Sequence, residues 1–330
     1  MRSSGLLISA VLLLAALPQV GLAKSPEVWL ERMHDALSSL NYHGEFSYYH
    51  GGELSSLQLA HAVVDGVRHE RLVHLNGAPR EVIRIGNRVT CVLHPGDRLL
   101  DLDESIPAGP FAQAYARSLE GLPRGYRVSL GSEDRIAGRD TVQVRIEPAA
   151  GDRYGFRLWL DRETALLLRS ELLDTAGSPL EIFQFVRIEI GAPIDPALLE
   201  EPADDDLVKY DLAFEDAEPA GGERLVHWEA SWLPEGFEMA AADVRRAASQ
   251  QEGVANMVFS DGLASFSVFL EPAPRGAALT HTARHGATIA VMRRVQAELP
   301  EPWRVTVVGE VPEETAERVA EHVRPLAAVE

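Results

Sequence analysis

The stretch YHGEFSYYH, residues 42–50, decides the fold of the first half of the chain. Its side chains alternate in kind, and the less polar set consists of Tyr42, Gly44, Phe46 and Tyr48. Because successive side chains of an extended chain point to opposite faces, this period of two predicts a β-strand with one apolar face. The strand is expected to open an antiparallel sheet.

Similar alternation recurs along the next 140 residues. The further strand-like runs are residues 56–64, 67–75, 80–93, 141–147, 154–161 and 180–190. Turn signals such as Gly51-Gly52, Asp65-Gly66 and Gly86-Asn87 lie between some of these runs, as expected of a long meander.

Two helices are predicted beside this sheet. Ser25 and Pro26 form a helix start, and Trp29, Met33, Leu37 and Leu40 then repeat at helical spacing. The second helix is predicted over residues 110–120. Helices of this kind can cover the concave side of a curved sheet, so the first domain, residues 24–200, is assigned to the α+β class.

A second, smaller domain of mixed sheet and helix is expected over residues 225–330. An acidic linker, residues 201–224, precedes it, and the stretch from Glu200 to Glu223 carries ten Asp or Glu residues against one lysine. Strand-like runs follow near residues 237–247, 253–260, 263–270, 286–295 and 303–309. A closing helix is predicted from Pro312.

The first 23 residues have the pattern of a secretory signal peptide. One charge, Arg2, precedes an apolar run from Gly5 to Leu17, and a small-residue ending leads to Ala23. The run is shorter than the ~20 residues that a helix needs to span a bilayer, so cleavage after Ala23 and export to the periplasm are expected. The formal net charge of −19 disfavours nucleic acid and anionic lipid as partners.

No catalytic, cofactor or metal site is predicted. The nucleophile elbow, the phosphate loop and the dinucleotide fingerprint are absent from the sequence. His281 and His285 have helical spacing but lack the glutamate of a zinc motif, and nearby Pro274 and Gly276 indicate a loop, so surface histidines are favoured. Cys91 is in phase with apolar neighbours and is expected to be a buried small hydrophobe.

A cluster of histidines follows the first strands, at positions 43, 50, 61, 69 and 74. Alternation places some of these histidines on one polar face of the sheet. The favoured interpretation is that most of them are ordinary exposed side chains. The other interpretation is a group that titrates near pH 6 and senses acidity.

The apolar face of the first sheet is the candidate lipid site. Large apolar residues alternate with polar ones in the central strands, and the interpretations left open are a cavity for acyl chains and an ordinary filled core. The lipid-binding candidates are Phe46, Tyr48, Val142, Val144, Phe156, Leu158 and Leu160.

Aromatic residues mark the entry to the second domain. Trp228, Trp232 and Phe237 are candidates for binding a protein partner, because aromatic side chains often anchor such interfaces. The alternative is that they pack between domains.

Several motifs, in order along the chain, resemble the RseB/MucB family. They are YHGEFSYYH from Tyr42, HLNGAPREVIR from His74, YGFRLWLD from Tyr154, LLLRSELLD from Leu166, FQF from Phe183, WLPEGF from Trp232, FSDGLASFSVFLE from Phe259, GATIAVMRRVQ from Gly286 and VTVVGEVPEETAERVA from Val305. One departure is Ala165, where many relatives are expected to carry glycine.

The resemblance implies a fold and a function. The fold is an unclosed antiparallel β-barrel with helices against its concave face, similar to lipoprotein carriers, plus a smaller mixed β-sheet/α domain. The function is that of a periplasmic negative regulator of the envelope-stress response. Such a protein binds the periplasmic part of a membrane-embedded anti-sigma factor, shields it from regulatory proteolysis and is released by lipid or lipopolysaccharide. Self-association into homo-oligomers is a further expectation from the resemblance.

The alternative function is a periplasmic lipid or lipoprotein carrier, indicated by the apolar sheet face. A hydrolase is retained only because catalytic pairs occur in sequences without motifs.

Overall fold

The computed structural model describes residues 25–93, 124–202, 207–213, 228–245, 254–273, 280–296 and 302–326. The predicted signal peptide and the predicted helix at residues 110–120 lie outside these ranges. Within them, no helix is both long enough and apolar enough to cross a membrane.

Helix α1 spans Pro26–Ser39, starting where Ser25 and Pro26 predict it. Proline suits the first turn of a helix, since its fixed φ fits and its missing N–H would be unpaired there. Trp29, Leu30 and Met33 are buried on one side of α1. The helix therefore packs through the face that the sequence spacing identified.

The first domain is built on an eleven-stranded antiparallel sheet in the order β11-β5-β4-β3-β2-β1-β10-β9-β8-β7-β6. The strands are β1 Tyr42–His50, β2 Glu53–Val64, β3 Val67–His74, β4 Arg80–Ile85, β5 Arg88–Leu93, β6 Tyr126–Ile136, β7 Arg139–Pro148, β8 Gly155–Asp161, β9 Leu167–Leu173, β10 Pro179–Ile190 and β11 Val208–Ala213. The two end strands, β11 and β6, are not paired with each other, so the sheet is unclosed. The α+β class with an unclosed antiparallel sheet is confirmed.

The segment predicted as an acidic linker differs from the prediction in its middle. Residues 208–213 form the edge strand β11, which pairs antiparallel with β5 along its whole length. Val208 and Tyr210 alternate with Lys209, and Tyr210 packs on the cluster of Val89, Cys91 and Leu93. The high acidic content of the segment obscured this short alternation. Cys91 is buried, as expected.

The small domain contains a six-stranded antiparallel sheet in the order β13-β14-β15-β18-β17-β16, and helix α2 packs on β17 and β18. A two-stranded ribbon, β12 with β19, stands beside it. The elements are β12 Trp228–Ala230, β13 Glu238–Arg245, β14 Val254–Ser260, β15 Ser265–Pro272, β16 His281–His285, β17 Thr288–Arg294, β18 Trp303–Gly309, α2 Glu313–Glu321 and β19 Val323–Pro325.

The interpretation of residues 281–285 as a loop is wrong. They form β16, which pairs with β17 through a turn at Gly286. The nearby proline and glycine suggested irregular backbone, but the hairpin register fixes the strand. Among the described residues, no group of three or more His, Cys, Asp or Glu side chains could hold a metal ion.

One buried arginine joins the two domains. Arg153 lies in the turn between β7 and β8, its side chain is 1% exposed, and its Nη1 donates to Asp261 Oδ2 of the small domain at 2.7 Å. Arg153 Nη2 also donates to the Glu235 carbonyl at 2.6 Å, and its guanidinium lies 5.1 Å from the Phe237 ring. Leu263, two residues after Asp261, packs into the cluster around α1. The β14–β15 turn is thereby fixed on the large domain.

Replacement of this arginine should destabilise the whole protein. In Arg153→Met, the Asp261 carboxylate stays buried without its cation, which costs about 3–5 kcal/mol when one partner of a buried pair is removed. The free energy of unfolding, measured by urea titration, checks this value. Arg324→Met is the matched control, because its pair with Glu229 is exposed and should be worth at most about 1 kcal/mol. Equal losses in both variants would contradict the role of Arg153.

Candidate ligand face and partner surface

The lipid-binding candidates share one face of the large sheet. In register, Tyr48 is paired with Phe183, Phe183 with Ser170, Ser170 with Leu158 and Leu158 with Val144. Directly paired residues of neighbouring strands point to the same side of a sheet. Strands that are far apart in sequence are thus brought together into one transverse row.

Helix α1 covers the part of this face on β7, β8 and β9. Trp29, Leu30 and Met33 form a buried cluster with Val144, Leu158 and Leu160, and Val142 and Phe156 pack against it half-buried. Residues on α1 therefore occupy the space above five of the seven candidates. On β7, β8 and β9, the apolar face of the sheet is therefore a filled core beneath α1.

The remaining candidates, Phe46 and Tyr48, form a second cluster. The Phe46 ring lies 4.7 Å from that of Phe183 and 5.8 Å from that of Phe185, and the two phenylalanines of β10 are themselves T-shaped at 5.1 Å. Rings at these separations in tilted geometry add about 0.5–1.5 kcal/mol beyond area burial. Phe46 and Tyr48 are buried among them.

A shallow cleft of about 370 Å³ lies on the opposite face of the sheet. Arg169 donates to Gln184 Oε1 at 2.8 Å, pairs with Glu171, and lies 4.7 Å from the Trp159 ring. This cleft was not predicted from the sequence; the signal for it is a charged residue, Arg169, inside the apolar stretch LLLRSELLD. The cleft is lined by Ser47, Tyr49, Leu54, Arg169, Ile182 and Gln184.

The rim of the candidate ligand face carries a buried carboxylate. Glu181 Oε2 accepts a hydrogen bond from the Tyr48 hydroxyl at 2.9 Å, and Glu181 Oε1 lies 2.9 Å from His50 Nδ1. Burial and the neighbouring Glu181 raise the pKa of Tyr48. The hydrogen bond to Glu181 raises the pKa of His50.

The expectation that most of the early histidines are exposed is wrong. All five are half-buried or buried. His61 is buried, stacks on Tyr42 at 4.7 Å, and burial lowers its pKa. Burial, followed by the charge of Arg80, also lowers the pKa of His74. The broad sheet has neighbours on both sides of these strands, which alternation alone does not reveal.

The aromatic candidates of the small domain divide into two kinds. Trp228 and Phe237 are buried in the small-domain core, with ring distances of 5.0 Å to Trp303 and 5.2 Å to Phe266. Trp232 is half-buried, with the Arg318 guanidinium 4.0 Å from its ring. Trp232 is therefore the accessible member of the three, beside the end of α2.

Ala165 adopts a left-handed backbone conformation, with φ of 64°. Its N–H donates to the Asp161 carbonyl at 2.8 Å and closes the β8–β9 turn. Glycine adopts this conformation without steric cost, which explains why a glycine is expected there.

The hydroxyl of Tyr48 should contribute to stability through Glu181. Tyr48→Phe removes the donor and leaves a buried acceptor less satisfied, so a loss of about 1–3 kcal/mol in the free energy of unfolding is expected. Tyr49→Phe is the matched control in the same strand, because the Tyr49 side chain is exposed, and a change within about 0.5 kcal/mol is expected there. Urea titration compares them, and a neutral Tyr48→Phe would exclude this role of the hydroxyl.

Comparison with known proteins gives the following matches. The MucB/RseB N-terminal domain model matches residues 25–203, and the MucB/RseB C-terminal domain model matches residues 223–324. The sigma factor AlgU regulatory protein MucB of Pseudomonas aeruginosa is 36% identical over 327 residues, covering 98% of each chain.

Two solved structures also match. MucB in the Pseudomonas aeruginosa MucA/MucB complex is 34% identical, with a TM-score of 0.75 over 92% of this chain and 99% of that one. A crystal structure of MucB gives a TM-score of 0.61 at 33% identity, over 91% of this chain and 98% of that one.

Proposed function

The chain belongs to the MucB/RseB family, and from this premise we propose that it is a periplasmic regulator that binds the periplasmic part of a membrane-embedded anti-sigma factor. Binding shields the anti-sigma factor from regulatory proteolysis, so the protein restrains a stress response without performing chemistry. The observation that carries the proposal is the match of both domains to MucB, including MucB in complex with MucA.

The small domain supplies the first contact surface in this proposal. Trp232 is half-buried beside Arg318 and His322, whose imidazole lies 6.1 Å from the indole ring. A half-buried tryptophan next to an arginine is the kind of anchor on which interface energy concentrates. Trp228 and Phe237 support this surface from the core beneath it.

Lipid is proposed to release the partner through the large domain. An acyl chain would occupy the face that carries Phe46, Tyr48 and Leu158, and it would do so by displacing α1, which is the only described helix on that sheet. A ligand that favours one arrangement of the protein lowers affinity for a partner that favours the other, in proportion to its differential affinity. In this proposal, the domain junction next to Tyr48 couples lipid binding on the large domain to release of the partner.

Calorimetry of the mature chain with the periplasmic segment of its own organism's anti-sigma factor tests partner binding. Trp232→Ala should weaken binding at least about tenfold, because a truncated anchor costs more than about 1.4 kcal/mol. Tyr49→Ala is the control on the large domain and should bind as the unchanged chain does. No binding by the unchanged chain would refute the proposed function, whereas unaltered binding by Trp232→Ala would refute only the surface.

Addition of lipopolysaccharide fragments to the same titration tests release. The affinity for the anti-sigma segment should fall, and the segment should become susceptible to the regulatory protease in the same mixture. A phenylalanine-to-polar change, Phe46→Asn, should reduce the effect of lipid, provided that circular dichroism shows the fold intact. Lipid that binds tightly and leaves partner affinity unchanged would favour a carrier instead.

A further inference from the structure

A row of six side chains crosses the large sheet on the face opposite to α1. Each of them is paired in register with the next, on neighbouring strands from β7 to β2. Directly paired residues point to the same side of a sheet, so the six form one continuous outer strip. The outer strip consists of Arg145, Arg157, Glu171, Ile182, Tyr49 and Leu54.

One end of the outer strip is apolar and accessible. Leu54 is 65% exposed, Tyr49 is 37% exposed, and Ile182 beside them is half-buried. All three line the shallow cleft on this face. The solvated face of an antiparallel sheet ordinarily carries polar side chains, and single apolar residues on a surface need no explanation. Three contiguous large apolar residues around a cleft instead indicate a contact surface.

The other end of the outer strip is basic. Arg145 is directly opposite Arg157, an arrangement of like charges that destabilises an antiparallel pair of strands. Arg157 and Arg169 both pair with one carboxylate, Glu171. Arg169, in the adjacent row, also lines the cleft, so it links the basic end of the strip to the apolar end.

The side chain of Arg145 is held in place without a carboxylate. Its Nε donates to Gln143 Oε1 at 3.0 Å, and in the ranges that the structure describes it forms no ion pair. A β-carbon on Gly131 of β6 would lie 2.9 Å from Arg145 Nε, so the glycine leaves room for this arginine. The remaining donors of its guanidinium are available to a ligand.

The charge of the outer strip is opposite in sign to that of the whole chain. Three arginines, Arg145, Arg157 and Arg169, stand against the single carboxylate of Glu171, whereas the chain has a formal net charge of −19. A local positive surplus on an acidic protein attracts the negative groups of a partner and repels positive ones. The strip therefore suits carboxylates at its basic end and an apolar side chain at its cleft.

The dimensions of the outer strip define the length of its occupant. The strip crosses six strands in the order β2-β1-β10-β9-β8-β7. Neighbouring strands lie about 4.8 Å apart, so the strip is about 24 Å long, which an extended chain spans with roughly seven residues. Each of these strands is already paired on both sides, so the occupant is recognised by side chains and not by addition of a strand.

We propose that the outer strip is a docking site for an extended polypeptide segment that carries a large apolar side chain at one end and carboxylates at the other. The apolar side chain enters the cleft between Tyr49 and Leu54, and the carboxylates pair with Arg157 and Arg145. Because charge-assisted pairs form at the surface, this attraction is weakened by salt.

The docking site does not depend on the proposed function. The outer strip contains neither Trp232 nor any residue of the candidate ligand face, which lies on the other side of the sheet. Variants of the strip should therefore bind the anti-sigma segment as the unchanged chain does, and failure of one proposal leaves the other standing.

Fluorescence anisotropy of a labelled synthetic peptide, titrated with the mature chain, tests the site. The peptide has phenylalanine at one end, three aspartates at the other and serine and glycine between them, and it is made in both chain directions. One direction should bind with a dissociation constant below about 1 mM at low salt. Replacing the aspartates by lysines should weaken binding at least about tenfold, and replacing phenylalanine by alanine should weaken it severalfold.

Variants of the protein identify the two ends of the strip. Arg145→Gln combined with Arg157→Gln should weaken binding of the aspartate peptide at least about tenfold and remove most of its salt dependence. Leu54→Ser should weaken it at least about fivefold, because less apolar surface is buried. Arg324→Gln and Met239→Ser are the matched controls, since both side chains are exposed on the small domain. Both controls should bind as the unchanged chain does.

The contrary outcomes are distinct. The docking site is overturned if neither peptide direction binds, if the lysine and aspartate peptides bind equally, or if the strip variants bind as well as their controls. If the double arginine variant does not fold, Arg157→Gln and Leu54→Ser decide, because unaltered binding by both of them also overturns the proposal.

Two further measurements identify a different occupant. Analytical ultracentrifugation that shows a dimer of the unchanged chain, lost in the double arginine variant, would assign the outer strip to a second copy of the chain. Binding to phosphatidylglycerol vesicles that is lost in the same variant would assign it to a lipid surface. Either result overturns docking of a polypeptide segment.

Discussion

The arrangement of the two domains depends on the buried guanidinium of Arg153, which keeps its positive charge. Arg153 is almost inaccessible to water, and the desolvation of its guanidinium is offset by Asp152 and the Arg124 carbonyl of its own domain together with Asp261 and the Glu235 carbonyl of the small domain. The Asp261 carboxylate is itself fully buried, and Arg153 is the cation that balances its charge. The β14–β15 turn must therefore dock, and once it docks Leu263 enters the core beneath α1.

The two domains also meet at a second contact, which differs in chemistry from the contact at Arg153. Where the β1–β2 and β16–β17 turns meet, the ring of His50 lies 4.9 Å from that of His285. Histidine is the side chain whose ordinary pKa lies nearest neutral pH, whereas arginine keeps its charge at any physiological pH. The candidate ligand face ends at Tyr48, whose hydroxyl donates to Glu181, and Glu181 also lies 2.9 Å from His50 at the junction. Events on the sheet and at the junction thus share a carboxylate.

The sequence predicted much of this molecule because alternation is a local property. The helix start at Ser25 and Pro26, the strand around Phe46 and the closing helix after Pro312 all lie where spacing places them. Short or charged strands escaped notice, as β11 did within acidic sequence and β16 did beside proline and glycine. In those cases the strand is stabilised by its neighbour's hydrogen-bond register, which no local pattern contains.

By itself, then, the sequence determined the α+β class, the antiparallel sheet, the apolar face that contains Leu158 and the family resemblance, since periodicity and motif order are written along the chain. Only the tertiary structure decided that α1 fills much of that face, that Phe237 is buried under Arg153, and that His50 meets His285. The reason is physical: burial, pKa shifts and ion pairs depend on groups such as Arg153 and Asp261, which are 108 residues apart in sequence and adjacent only in the folded chain.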